Sequence, residues 1–158
     1  MIKRITSFSL PIDEEDTFFV TAPLKYLEDV KSIESIVNAY YNIVSHSKHQ
    51  TLDFDRLKFL HLNNALIVKM DDDNGTYIIS LEAEYNVILS ELKMNLHKTE
   101  LSRTVNQYGH FAQVFSIFEI RTNPVVATNG KGSNCIQLHY LNDRWWIATL
   151  TMNMETTI

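Results

Sequence analysis

The sequence GHFAQVFS at residues 109–116 opens a run of three segments that decides the fold. It is followed by GSNCIQL at residues 132–138 and by NDRWWI at residues 142–147. Each segment joins β-branched or aromatic residues to residues that favour turns, so each one predicts a β-strand. Gly109 and the pair Asn142-Asp143 mark tight turns, and strands joined by tight turns pair as an antiparallel meander.

Helical patterns precede these strands. Ser32 predicts an N-cap, because apolar residues then recur at helical spacing, namely Ile33, Ile36, Val37, Tyr40, Tyr41 and Val44. Asp53 predicts the cap of a second helix that ends at Leu60. Ser80 predicts the cap of a third helix, whose buried face we expect to consist of Leu81, Tyr85, Ile88, Leu89 and Leu92.

A short hairpin lies between the second and third helices. Residues 65–70 are mostly apolar and predict a strand, and DDDNG at residues 71–75 predicts the turn that follows. Three adjacent carboxylates suggest a calcium loop, but such loops need alternating ligands, and residues 77–79 have the pattern of a strand. We therefore expect a solvated hairpin tip and no metal site.

The whole pattern predicts an α+β fold in one domain. Strands at residues 96–107, 111–121, 133–141 and 144–154 form the sheet, and the helices must cover one of its faces. We expect residues 23–158 to form this domain and residues 1–22 to form an irregular N-terminal arm, which suits a chain of 158 residues.

Composition excludes several classes of protein. The net charge of −5 and the scattered basic residues are not typical of a nucleic-acid binder. The single cysteine, Cys135, excludes an intrachain disulfide bond. No apolar run approaches the ~20 residues of a membrane span, and no secretory signal is recognisable, so we expect a cytoplasmic location. Residues 129–132, NGKG, do not complete a phosphate-binding loop, and no cofactor is expected.

The three closing segments resemble the last strands of bacterial nuclear transport factor 2-like (SnoaL-like) proteins. The helical part is similar as well, with NAYY at residues 38–41 and DFDRL at residues 53–57. The resemblance implies a cone, in which a curved antiparallel sheet is closed by N-terminal helices around a cavity. The subgroup that the chain most resembles has no assigned activity, so the resemblance implies a fold but no reaction.

A cone of this kind suggests a binding site. Polar and aromatic side chains mixed in one apolar cavity are typical of small-molecule sites. Our candidates for contact with an apolar or aromatic ligand are Tyr40, Tyr41, Gln113, Gln137, Trp145 and Trp146, and His139 lies among them on the same strands. The alternative is an interaction module whose cone is filled by its own side chains.

The predicted sheet carries large apolar residues on both faces. One set on the strand at residues 111–121 is Ala112, Val114, Ser116, Phe118 and Ile120, and the other is Phe111, Gln113, Phe115, Ile117 and Glu119. A sheet with one face in water alternates more cleanly, so we expect the second face to be covered in a homodimer.

A catalytic set is not complete in the sequence. Ketosteroid isomerase, which shares the general fold, uses a carboxylate base, but Lys69 and Met70 stand where that base would fall. Glu119 is the one acid on a late strand, near its end. A lyase or isomerase that works by general acid–base catalysis is therefore the alternative function, with His110, His139 and Asp55 as candidate catalytic residues.

Overall fold

The computed structural model describes residues 24–71, 75–91, 95–123, 125, 128 and 130–155. Within these residues, four helices precede or interrupt the strands, and we number them α1 to α4. They are α1 Leu24–Asp29, α2 Ile33–Val44, α3 Phe54–Leu60 and α4 Leu81–Glu91. The strands are β1 His61–Asp71, β2 Gly75–Ile79, β3 His97–Tyr108, β4 Phe111–Arg121, β5 Gly130–Leu141 and β6 Arg144–Glu155. The predicted α+β class is confirmed.

The six strands form one sheet in the order β2-β1-β6-β5-β4-β3. Strands β3 to β6 pair antiparallel with their neighbours in sequence, which confirms the predicted meander. The first hairpin joins this meander because β1 pairs parallel to β6. The sequence did not predict that parallel pair. It joins the first and the last of these strands along the chain.

Side-chain caps fix the beginnings of α2 and α3. The Ser32 hydroxyl accepts a hydrogen bond from the Ser35 amide at 3.0 Å, as predicted. Asp53 accepts from the Arg56 amide at 3.0 Å and from the Tyr26 hydroxyl at 2.6 Å. Each cap satisfies an amide that the first helical turn leaves without a partner. The Tyr26 bond also ties α1, which the sequence did not predict, to α3.

The helices cover one face of the sheet, which we call the inner face. Its fully buried side chains alternate along the central strands, and they include Ala112, Val114, Phe118, Ile136, Leu138 and Leu150. The apolar stripe of α2 packs on them, with Ile36, Val37, Tyr40 and Tyr41 all buried. The opposite face, the outer face, holds the intervening residues of the same strands.

The tight turns follow the sequence prediction. Asn142 and Asp143 both have positive φ, at 53° and 59°, which is the backbone of a two-residue hairpin turn. Gly75 has a φ of 77° and pairs with Asp71, so the first hairpin is confirmed, although residues 72–74 lie outside the described residues. The proposed N-terminal arm at residues 1–22 also lies outside them.

Three sequence predictions differ from the structure in detail. Strand β1 begins at His61 rather than at residue 65, since His61 already pairs with Ile147 of β6, and the register shifts between His61 and Leu66. Strand β5 begins at Gly130 rather than at residue 133, although glycine is unfavourable in strands. Leu89 is exposed instead of buried, since α4 turns a narrower face toward the sheet, and Leu92 lies outside the described residues.

Two general features bear on the class of protein. Within the described ranges, no group of three His, Cys, Asp or Glu side chains lies close enough to hold a metal ion. In the same ranges, no helix has both the length and the apolar character needed to span a membrane.

Close packing around position 132 of β5 requires glycine, because neighbouring atoms leave no room for a side chain. A Cβ atom there would lie 2.6 Å from the Asn153 carbonyl oxygen and 2.6 Å from the Phe118 ring. We expect Gly132→Ala to lower the free energy of unfolding by about 1–3 kcal/mol, as overpacking does. Urea denaturation measures the change. Ser133→Ala, at the next position, is the control, and equal stability of both variants would contradict the prediction.

His61 is a buried histidine at the junction of α3 and β1. Its Nδ1 donates to the Leu57 carbonyl oxygen at 2.8 Å, and burial lowers its pKa from 6.5 to about 4. The unfolded chain therefore binds a proton at this residue between pH 6.5 and about 4, whereas the folded chain does not. His61 should destabilise the fold as the pH falls through this window, by up to about 1.4 kcal/mol per pH unit.

A variant tests this pH dependence. His61→Asn keeps a donor for Leu57 but does not titrate, so it should be less stable than the wild type at pH 8 because it packs less well. The difference in unfolding free energy between the two proteins should shrink at pH 5, where only the wild type has to exclude a proton. Chemical denaturation at both pH values measures it. A difference that is unchanged between pH 8 and pH 5 would show that His61 does not contribute.

Candidate functional site

A cavity of about 230 Å³ lies between α2, α4 and the inner face of the sheet, and we call it the inner cavity. Its lining is mainly apolar, with a few polar and charged groups, as is typical of small-molecule sites. The lining residues are Tyr40, Val44, Lys69, Met70, Tyr77, Glu84, Val87, Ile88, Leu96, Lys98, Ile120, Met152 and Met154.

Lys98 places a buried ammonium group in the wall of this cavity. Lys98 as a whole is 7% exposed, and its Nζ donates to the Tyr40 hydroxyl at 3.5 Å. The same Nζ lies 3.9 Å from the centre of the Phe118 ring and 3.8 Å from Met152 Sδ. These are cation–π and sulfur contacts, so aromatic and polarisable groups surround the charge.

The backbone of Lys98 is fixed by the end of α2. The Ser45 hydroxyl accepts from the Lys98 amide at 3.0 Å and donates to the Lys98 carbonyl oxygen at 2.9 Å. Next to it, His46 and Leu96 exchange two backbone hydrogen bonds of 2.8 and 2.9 Å. This junction attaches the end of α2 to the start of β3, and it therefore sets where the ammonium group lies.

A second pair of charges closes another side of the cavity. Lys69 on β1 and Glu84 on α4 form an ion pair of 2.5 Å, and both side chains are largely buried. The pair attaches α4 to the sheet. Because the two charges are in contact, they neutralise each other locally.

Tyr41 lies behind the cavity wall and anchors α2 to the sheet. Its hydroxyl is 2.6 Å from the Ser116 hydroxyl and accepts from the Asn134 amide at 2.9 Å. All three residues are buried, and burial raises the pKa of the Tyr41 phenol. The phenol therefore stays protonated at neutral pH, and its bonds to β4 and β5 hold the helix in register with the inner face.

A second cleft, of about 590 Å³, lies beside α3. It follows the irregular start of β1, and its walls come from α3, β1, β2 and the first turn of α4. Its lining includes Phe54, Lys58, His61, Asn63, Asn64, Ile79 and Glu82. This cleft is open to solvent and holds no compact group of charged side chains.

The structure separates the ligand-binding residues that the sequence predicts. Tyr40 lines the inner cavity and Tyr41 lies behind it, whereas Gln113 and Gln137 pair with each other on the outer face. The prediction of these six residues rested on residue type alone. Strand alternation places the two glutamines on the face opposite the buried residues 112, 114, 136 and 138. The six residues therefore do not line one cavity, and their roles in binding stay predictions.

The two tryptophans lie on opposite faces of β6. Trp145 is on the inner face, with its ring 5.3 Å from that of Tyr140. Trp146 is on the outer face, where the Arg144 guanidinium lies 3.6 Å from its ring and 4.0 Å from the Phe59 ring. Neither tryptophan lines the inner cavity, whose apolar lining consists of methionine, isoleucine, valine and leucine side chains.

The three candidate catalytic residues also lie away from the inner cavity. His110 is exposed at the turn between β3 and β4, with its ring 5.4 Å from the Tyr140 ring. His139 packs beside Phe111 on the outer face. Asp55 is exposed in the first turn of α3. The structure does not bring these residues together at one site.

Sequence analysis missed Lys98, Glu84 and Met152. The signal for Lys98 was its place on β3, opposite the inner-face residue Ile120. That signal was hidden because β3 has a bulge between Glu100 and Ser102, which changes the face of every residue after it. Glu84 could have been found as an acid four residues before Ile88, on the same side of α4.

Comparison with known proteins supports the fold. No protein-family model matches the chain. No curated protein matches it in sequence. Solved structures do match over most of the chain, at low sequence identity.

Three of these structures show the extent of the likeness. A nuclear transport factor 2-like protein of unknown function from Shewanella baltica OS155 has a TM-score of 0.60 at 12% identity, covering 79% of this chain and 92% of its own. A similar protein from Methylobacillus flagellatus KT has 0.56 at 15%, covering 87% and 98%. A protein of unknown function with a cystatin-like fold from Nostoc punctiforme PCC 73102 has 0.62 at 11%, covering 87% and 96%.

Likeness at these identities establishes architecture and not activity. The helices, the six-stranded mixed sheet and the inner cavity agree with the resemblance that the closing strands showed. This chain therefore has the nuclear transport factor 2-like fold.

Proposed function

We propose that this chain binds one small organic molecule with an apolar or aromatic body in the inner cavity. The observation that carries the proposal is the lining itself, in which a buried ammonium and a hydroxyl interrupt a wall of apolar side chains. Apolar walls contribute affinity, and a few fixed polar groups orient the ligand.

The volume of the inner cavity limits the size of the ligand. A protein cavity of about 150 Å³ lined by apolar side chains accommodates benzene. The inner cavity measures about 230 Å³, which suits one aromatic ring with a short substituent. A space of this size also argues against the alternative of a cone that is filled by its own side chains.

Acid–base catalysis remains the second hypothesis, but it would need other residues than those the sequence suggested. The titratable side chains that line the inner cavity in the described part of the chain are Tyr40, Lys69, Tyr77, Glu84 and Lys98. Lys69 and Glu84 are paired with each other, which suits a structural role. Binding is therefore the function that this geometry supports best.

A variant at the edge of the cavity tests the binding proposal. Val87 lines the cavity and is 38% exposed, so a larger side chain there should fill the entrance without disturbing the core. We expect Val87→Trp to abolish binding of single-ring probes. Saturation-transfer NMR with phenylacetate, phenylacetamide and benzylamine, three compounds of similar shape, measures the binding.

Leu89 provides the matched control for this experiment. It is on the same helix and is 37% exposed, but it does not line the cavity. Leu89→Trp should bind the probes as the wild type does. If neither the wild type nor the control binds any of the three probes, or if Val87→Trp binds them unchanged, the inner cavity is not the binding site.

We also propose that two copies of the chain associate through the outer face. Phe111 is 42% exposed and Phe115 is 46% exposed there, on the same strand. The central outer-face positions carry no Asp, Glu, Lys or Arg, since they are Phe111, Gln113, Phe115, Ile117, Ser133, Cys135, Gln137 and His139. Few charges and exposed aromatic rings are typical of the core of an interface, and a twofold axis pairs such a face with itself.

A charge on the outer face tests the dimer. Phe115→Glu would place two carboxylates in the interface without partners, so we expect it to raise the dimer dissociation constant at least tenfold. Analytical ultracentrifugation measures the change. Val105→Glu is the control, because Val105 is 42% exposed on β3 but pairs with the inner-face residue Val114. A wild type that is monomeric at all concentrations would contradict the proposal.

A further inference from the structure

We infer that the cleft beside α3 is a docking site for the N-terminal arm of the same chain, and that residues 17–21 of the arm bind there along the edge of β1. This inference goes beyond the proposed ligand-binding function, because it concerns another part of the molecule. Four observations carry it, namely the edge of β1, the apolar walls of the cleft, the point at which α1 begins and the sequence of the arm.

The first observation is the edge of β1 along the cleft. The pairing of β2 with β1 ends at Ile67, which is opposite Ile79, whereas β1 itself begins at His61. Within the described part of the chain, residues 61–66 therefore have no strand neighbour on that side. All six of these residues line the cleft. Such an edge presents backbone amide and carbonyl groups that can pair with an added strand.

The second observation is the apolar character of the cleft walls. Leu66 is 50% exposed and Ile78 is 64% exposed, and both line the cleft. Phe54 forms another part of the wall, where its ring stacks on the Tyr85 ring with 4.0 Å between the centres. The volume of about 590 Å³ is several times the volume of about 150 Å³ that accommodates benzene. The cleft therefore has room for several apolar side chains, and apolar side chains grouped at an exposed site indicate a partner.

The third observation is the place where α1 begins. Helix α1 starts at Leu24, and the ammonium group of Lys25 donates to the Asp53 carboxylate at 3.1 Å. Asp53 caps α3 and directly precedes Phe54, which lines the cleft. The arm therefore joins the domain close to one wall of the cleft. An extended chain spans about 3.3–3.6 Å per residue, so residues 17–23 reach roughly 24 Å from α1.

The fourth observation is the sequence of the arm next to α1. Residues 17–21 are TFFVT, in which every residue is aromatic or β-branched. Residues of these types favour strands. Because side chains alternate along a strand, Phe18 and Val20 would lie on one face of an added strand and Phe19 on the other. A segment that suits the edge of β1 is therefore attached to the chain within reach of that edge.

The short connection favours the arm of the same chain over the arm of a second copy. Only Ala22 and Pro23 separate the segment from α1. A short connection makes binding intramolecular, with an effective concentration on the order of millimolar. The arm of a second copy would have to reach a similar concentration to compete.

Hydrogen–deuterium exchange of the full chain, measured by mass spectrometry, tests the inference. We expect the amides of residues 17–21 and 62–66 to exchange at least tenfold more slowly in the wild type than in the double variant Phe18→Ser/Phe19→Ser, because the variant removes the two rings that fill the cleft. Phe8→Ser is the control, since it removes a ring from the same arm outside this segment. It should leave the exchange of both regions unchanged.

A variant in the cleft wall locates the docking site. In Ile78→Asp, a charge replaces an exposed apolar side chain of the cleft, so residues 17–21 should exchange at least tenfold faster than in the wild type. Val105→Asp is the control, because Val105 is also an exposed apolar residue but lies outside the cleft. It should keep the wild-type exchange of residues 17–21.

Two results would overturn the inference directly. One is exchange of residues 17–21 in the wild type as fast as in the free peptide, and the other is unchanged exchange of these residues in Ile78→Asp. Protection that is lost when the wild type is diluted would show that a second copy supplies the arm, and it would overturn the inference as well. If the double variant does not fold, as shown by circular dichroism, the comparison of the wild type with Ile78→Asp still decides.

Discussion

The junction between the end of α2 and the start of β3 is the constraint on which the inner cavity depends. Ser45 bonds both backbone groups of Lys98, and His46 pairs with Leu96, so the helix end and an edge strand of the sheet are held as one unit. Strand β3 has a strand neighbour on one side only, and a freely moving edge would not hold a buried charge in place. Because the junction fixes both partners, Tyr40 from the helix and Phe118 from the sheet meet the Lys98 ammonium at one point.

Much of this fold could be predicted from local sequence because local interactions determine it. The Ser32 cap and the apolar stripe after it specify α2 without reference to any other element. The pair Asn142-Asp143 accepts positive φ at both positions, so it specifies the turn between β5 and β6. Once four strands follow one another through short turns, the antiparallel order is the simplest pairing that chain connectivity allows.

The candidate site could not be predicted in the same way, because it depends on interactions between distant residues. The bulge between Glu100 and Ser102 reverses the alternation on β3, so Lys98 faces inward although the residues after the bulge suggest the opposite face. The parallel pairing of β1 with β6 brings Lys69 beside Met152, and nothing in either segment encodes that register. The residue types of Gln113 and Gln137 suggested contact with a ligand, yet strand alternation places both on the face opposite the cavity.

Lys98 is a buried charged residue at a position of the inner face where packing alone would favour an apolar residue. Removing a charged group from water costs several kcal/mol, at least about as much as a well-packed apolar residue at the same position would gain. The cation–π contact with Phe118 offsets about 2 kcal/mol of that cost when it is shielded from water. The contacts with Phe118 and Tyr40 therefore lower the cost of burying the ammonium. Residues that depart from the pattern of their surroundings in this way are expected at functional sites, and Lys98 departs from an inner face that is otherwise built mainly from Ala112, Val114, Phe118 and similar side chains.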